Sequence, residues 1–157
     1  MAENQTINPL DKDYFKLVQH QYLFFLFSRQ AMFAGYFTVI AVHVSTCYIL
    51  IANRGFLSSL ASFVMLINAL LGLLFYVWDK NYRNRIEMLK ITGSQLEKSI
   101  FSEIIKGNLL FENHVNLENG KINPAGSILI LITSIGSLAA AIALFCYITL
   151  PYIYRFL

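Results

Sequence analysis

The sequence predicts an all-α integral membrane protein, with three transmembrane helices, an N-terminal amphipathic helix and a cytosolic helical extension of the second span. Three observations predict it. Of 157 residues, 57% are hydrophobic and only 13% charged, too apolar a balance for an ordinary soluble domain. Three runs contain no Asp, Glu, Lys or Arg, and each is long enough to cross about 30 Å of hydrocarbon. Lys and Arg are distributed unevenly around those runs, which sets an orientation.

The first run is residues 31–52, "AMFAGYFTVIAVHVSTCYILIA", and the second is residues 56–78, "FLSSLASFVMLINALLGLLFYVW". Only "NRG" separates them, so they form a tight transmembrane hairpin. The third run, 125–150, is "AGSILILITSIGSLAAAIALFCYITL". Asn123-Pro124 reads as its N-cap and first helical residue, and Pro151 as its end. Of the 12 Lys and Arg residues, the N-terminal segment carries Lys12, Lys16 and Arg29. Residues 79–124 carry Lys80, Arg83, Arg85, Lys90, Lys98, Lys106 and Lys121. The remaining two, Arg54 and Arg155, fall on the other side. The N-terminus and residues 79–124 are therefore expected in the cytoplasm, and the C-terminus outside a bacterial inner membrane. Trp78, Tyr76 and Tyr82 suit the inner aromatic belt, and Tyr147, Tyr152 and Tyr154 the outer one. Four segments follow: 1–30, 31–78, 79–124 and 125–157.

Residues 11–30, "DKDYFKLVQHQYLFFLFSRQ", are aromatic but interrupted by charge. They either lie along the inner interface as an amphipathic helix or extend the first span inward, with Arg29 snorkelling. The polar start "MAENQTINPLDKD" lacks the basic region of a secretory signal, so no cleaved leader is expected.

Beyond the second span, Tyr82, Ile86, Leu89, Gly93, Leu96 and Ile100 follow heptad steps, interrupted once by glycine. Arg85 and Lys98 fall on other faces. The span is expected to continue as one helix, with Ile86, Leu89, Leu96 and Ile100 meeting a cytosolic protein partner or the chain's own N-terminal segment. Gly93 counts against helix stability here. Further on, Asn119-Gly120 between Val115, Leu117 and Ile122 reads as a short hairpin or an ordered loop.

Tyr82-Arg83-Asn84, followed at a fixed gap by Leu96-Glu97, together with the hairpin and the third span, resembles the SLATT-type membrane effectors of bacteria. Those occur beside phage-defence and nucleotide-signalling genes. The resemblance implies the layout and a defence role, with pore formation as the proposed activity. It implies no functional residues, and residues 101–124 are an insert relative to that group.

Polar side chains deep in a span are the sharpest local signals. His43 and Asn68 lie near the middles of their spans, at depths within about 3 Å of each other, and Ser137 reaches a similar level. They form a candidate polar layer, serving either as an ion- or proton-responsive constriction or as hydrogen bonds that fix helix register. Small residues that allow close helix approach are Ala61 and Gly72 in the second span and Gly136 and Ala140 in the third. More such faces exist than one bundle needs, which predicts a homo-oligomer.

No P-loop, nucleophile elbow or His-Glu-x-x-His occurs, and the Asp and Glu residues all fall outside the runs, so no enzyme activity is expected. A serine with His43 would lack an orienting carboxylate. Cys47 and Cys146 have no metal or disulfide spacing, and His43 is the only histidine in a run, so neither metal nor cofactor is expected. No basic patch for nucleic acid is present. The expected function is an oligomeric membrane effector or channel-like subunit controlled through its cytosolic segment, or else a non-catalytic anchor for a larger complex.

Overall fold

The computed structural model describes residues 9–53, 56–101, 111 and 124–154. Apart from the turn residues Asn53 and Pro124, every described residue is helical. Helix α1 is Pro9–Ala52, α2 is Phe56–Phe101 and α3 is Ala125–Leu144. A π-helical turn, Phe145–Thr149, follows α3, and a last short helix, α4, is Leu150–Tyr154. All three long helices are long and apolar enough to cross a membrane. The sequence-predicted hairpin at 119–120 and the capping residue Asn123 lie outside the described residues.

Helix α1 starts on Pro9, whose fixed φ and missing N–H cost nothing in a first turn, and Asp11 there complements the helix dipole. It ends at Asn53, whose backbone N–H (3.2 Å) and side-chain amide (2.8 Å) both donate to the Ile49 carbonyl. Between these ends nothing breaks it. Its 44 residues span about 66 Å, more than twice the hydrocarbon thickness. Residues 11–30 therefore extend the first span and are not a separate N-terminal helix. Val18 and Tyr22 are buried, while Leu10, Tyr14, Leu17, Phe24 and Phe27 form a second, exposed apolar stripe.

Helix α2 also runs unbroken, through 46 residues, so the second span leaves its apolar stretch without stopping. Helix α3 begins one position later than the sequence implied. Pro124 occupies the N-cap, where its carbonyl accepts from Ile128 N–H at 3.0 Å, and no side chain caps the end. The apolar span ends at Thr149, just before Pro151, but the helical path does not stop there. Pro151 lacks an N–H and cannot donate to the Tyr147 carbonyl. The chain widens just upstream into a π turn, in which Leu150 N–H donates five residues back to the Phe145 carbonyl, and then continues as α4.

The chain divides into two compact units. One comprises Met1–Arg29 with Asn81–Asn123, the other Gln30–Lys80 with Pro124–Leu157. In the first, Val18, Tyr22, Ile86 and Phe111 form the core, flanked by Phe15, Phe25, Leu26, Leu89 and Leu96. Phe111 is fully buried. Its ring meets Tyr22 edge-on at 5.1 Å and Phe15 at 6.0 Å. Its backbone N–H donates to both carboxylate oxygens of buried Glu97, at 3.1 and 3.0 Å. A Cβ on Gly93 would sit 2.7 Å from the Phe111 ring. Gly93 is thus no mere interruption of the heptad seam: it makes the space that the ring fills.

Of the two partners expected for Ile86, Leu89, Leu96 and Ile100, the chain's own N-terminal segment is the one the structure places beside them. Ile86 and Ile100 are buried, and Leu89 and Leu96 pack against this core. The chain's own N-terminal segment and Phe111 pack on the seam, where Leu89 and Leu96 stay half-buried. Lys98 is exposed, and Arg85 lies over the Phe25 ring at 5.5 Å.

Candidate functional site

The second unit is polar inside and apolar outside. On α3 the buried residues are Ser127, Ile130, Ser134, Ser137 and Ala141. Ile128, Ile132, Ile135 and Ile142 are all more than half exposed. Exposed hydroxyls on α1 satisfy themselves on their own helix: Thr38 donates to the Ala34 carbonyl (2.9 Å), Ser45 to Ala41 (2.8 Å) and Thr46 to Val42 (2.8 Å). The outer surface therefore asks little hydrogen bonding of its surroundings, as lipid requires.

Buried polar groups line the contact between α2 and α3 from end to end, because the two helices run antiparallel and their steps match. At one end Asp79, fully buried, accepts a hydrogen bond from the Ser127 hydroxyl. Seven residues along each helix, Gly72 faces Ser134. A Cβ on Gly72 would collide with the Ser134 hydroxyl and lie 2.9 Å from the Tyr36 hydroxyl. Buried Tyr36 reaches this level from α1, its oxygen 2.6 Å from that of Thr133. Thr133 lies within donating distance of the Leu129 (3.0 Å) and Ile130 (2.9 Å) carbonyls of its own helix, and Tyr36 of the Ile130 carbonyl (3.4 Å), so either hydroxyl can donate to the other.

One turn further, Asn68 Nδ2 donates to Ser137 Oγ at 2.7 Å, and Asn68 Oδ1 lies 3.1 Å from His43 Nδ1. With the amide so oriented, Oδ1 accepts, and the imidazole proton sits on Nδ1. His43, Asn68 and Ser137 are thus brought together in one hydrogen-bonded layer joining all three helices. Asn68 is only 1% exposed, whereas His43 is half-buried.

At the far end, Thr149 and Ser62 both donate to the Ser59 carbonyl, each at 3.0 Å, and their hydroxyls lie 3.1 Å apart. The π turn makes this contact. The buried positions of α3 repeat at steps of three and four, which would next fall on Leu144, half-buried, and then on Ile148. The turn adds one residue, and Thr149 is buried in its place.

The residues expected to pack helices divide two ways. Ala61 is fully buried, and the Cys47 thiol donates to its carbonyl at 3.5 Å. Gly72 is a close-approach point. Gly136 instead faces outward, where an added Cβ would meet nothing within 4 Å, and Ala140 is half-buried. Of these two, Gly136 does not pack within the chain. Cys47 and Cys146 are both free thiols, the first buried and the second exposed.

Sequence reasoning missed Asp79, Ser127, Tyr36, Thr149 and Phe111. The serine spacing along α3 held a usable signal, since antiparallel counting outward from Asn68 and Ser137 leads to Gly72 with Ser134 and then to Asp79 with Ser127. Among the described residues, no group of His, Cys, Asp and Glu is arranged to hold a metal ion. Neither serine near His43 is paired with it: Ser45 donates to a backbone carbonyl and Ser137 accepts from Asn68. Comparison with protein-family models, with curated proteins and with solved structures finds no match.

Proposed function

We propose that this chain is a non-catalytic, multi-pass protein of a bacterial inner membrane, acting as a gated, channel-like effector subunit. One observation carries the proposal: the buried polar stripe from Asp79 and Ser127 through Asn68 and Ser137 to Ser62 and Thr149. Apolar helices associate in lipid without serine-rich interfaces, and polar residues at that depth typically mark ion or substrate pathways. Here every group in the stripe is engaged with a neighbour, which describes a shut state. Opening requires those bonds to exchange for water. Each is worth only about 0.6–2 kcal/mol, a barrier that a signal reaching α1 and α2 can overcome.

The effector associates with copies of itself through the outward face of α3, where Gly136 is uncovered and Ala140 lies one turn on. Its N-terminus lies in the cytoplasm and its C-terminus outside. The likeness to SLATT-type effectors agrees with a place in phage defence.

A second reading, a membrane anchor for a cytosolic protein, draws on the exposed stripe Leu10, Tyr14, Leu17, Phe24 and Phe27, which lies off the occupied seam. Ion flux separates the two. In liposomes, wild-type protein should hold an ion gradient, and Asn68→Ala, which removes both bonds of the central layer, should dissipate it. If the Asn68→Ala protein inserts and holds the gradient as wild type does, the effector reading fails and the anchor reading stands.

A further inference from the structure

We infer that a second copy of this chain meets the unit formed by Met1–Arg29 and Asn81–Asn123, with α1 of one copy packing along α2 of the next. On α1, Leu10, Tyr14, Leu17, Gln21 and Phe24 are all exposed and follow steps of four and three. On α2, Asn84, Met88, Ile91, Gln95 and Lys98 are exposed at the same steps. Met88 and Ile91 are 69% and 58% exposed, on the side of α2 opposite the buried Ile86, Glu97 and Ile100. Such spacing is the pitch at which two helices interlock side chains over successive turns.

The two seams also match in level. Phe25 meets the Tyr82 ring at 5.9 Å and lies under Arg85 at 5.5 Å, which sets Phe24 level with Asn84. The helices run antiparallel, so seven residues back along α1 and seven onward along α2 pair Leu17 with Ile91. The next seven pair Leu10 with Lys98. Copies inserted in one membrane share orientation and depth. The α1 seam of one copy therefore meets the α2 seam of its neighbour with no shift along the membrane normal. Leu17 then faces Ile91, and the Tyr14 hydroxyl is level with the Gln95 amide.

Charge favours this pairing over like with like. Asp13 borders the α1 seam, in an exposed pair with Lys16 at 3.7 Å that holds it weakly, and Lys98 ends the α2 seam. Matching α1 to α1 would set Asp13 against Asp13, and α2 to α2 would set Lys98 against Lys98. The contact is therefore heterologous, each copy offering one seam to each neighbour. Lipid does not supply the cover. Hydrocarbon takes about 20 residues of helix, which counted back from Ala52 ends near Phe33. Leu17 lies about 24 Å further along α1.

The test uses the full chain in native membranes, with Cys47→Ala and Cys146→Ala to remove the natural thiols. Two forms are co-expressed under different tags, one with Leu17→Cys and one with Ile91→Cys, and the membranes are oxidised with copper phenanthroline. A disulfide-linked dimer carrying both tags is expected. Replacing Ile91→Cys by Asn84→Cys moves the second thiol about 10 Å along the helix, beyond disulfide reach, and should leave little of that dimer. Tyr14→Glu or Met88→Glu, each at an exposed seam position, should abolish the dimer formed between 17 and 91. Failure of the doubly tagged dimer to form, its survival in both Glu variants, or disulfides only between like positions would overturn the inference. A disulfide from position 17 to a different protein would overturn it in favour of the anchor reading. Ion flux through the Asn68→Ala protein is a separate measurement, so the channel-like reading stands or falls independently.

Discussion

Asn68 engages both ends of its amide, donating to Ser137 and accepting from His43, and so ties α1, α2 and α3 at one level. That layer was legible in the sequence because depth in an apolar run can be counted from a hairpin tip, and three polar residues came out at one height. Asp79 was not legible, because it directly follows Trp78 and reads as the first residue of water-exposed helix. Only the register of α3, which brings Ser127 opposite, makes it an interior group. Tyr36 was hidden for a similar reason: a tyrosine in a span passes for an apolar ring until its hydroxyl meets Thr133. Glycines separate by the same logic of neighbours. Gly72→Ala must displace the Tyr36 and Ser134 hydroxyls, and should destabilise the protein by about 1–3 kcal/mol. Gly136→Ala meets open space and should leave stability unchanged or slightly raised. Thermal unfolding of the two variants in mild detergent checks both, and equal transitions would remove the special role given to Gly72.

At the scale of elements, α2 answers how a span continues past its apolar stretch. The heptad seam of Ile86, Leu89, Leu96 and Ile100 takes over from lipid as the partner of the apolar face, and the N-terminal part of α1 supplies the opposing surface. The seam's spacing was readable, but its occupant was not, since any apolar face of matching pitch would serve equally well in sequence terms. Phe111 decides the matter by filling the space above Gly93 and anchoring its N–H on Glu97. Phe111→Ala should therefore cost about 3–5 kcal/mol within this unit. Cysteines placed singly at 86, 89 and 96 should label slowly in native membranes and become fast with Phe111→Ala. A single cysteine at 98, an exposed position, should label fast in both. If the seam positions label equally fast with and without Phe111, the ring is not what closes the seam.

In the unit formed by Gln30–Lys80 and Pro124–Leu157, polarity is inverted relative to a soluble fold: many large apolar side chains face outward, and serines, an asparagine and an acid face inward. Composition and the charge-free runs made this inversion predictable, since an 18-residue window without strong charge has nowhere to go in water. The number of crossings then constrains the termini. Three spans place the two ends on opposite sides, and the ten Lys and Arg residues of 1–30 and 79–124 outweigh Arg54 and Arg155. The long continuous helices strengthen that bias, because α1 and α2 carry Lys12, Lys16, Arg29, Lys80, Arg83, Arg85, Lys90 and Lys98 at the same end of their hairpin. Translocating that end would move many charges across hydrocarbon, at about 2.5–3.5 kcal/mol for each Lys or Arg at the centre. A periplasm-active reporter enzyme should accordingly be inactive when fused at Met1 and active when fused at Leu157. The reverse pattern would invert the protein in the membrane, whereas activity at both ends would mean an even number of crossings and remove one of the three spans.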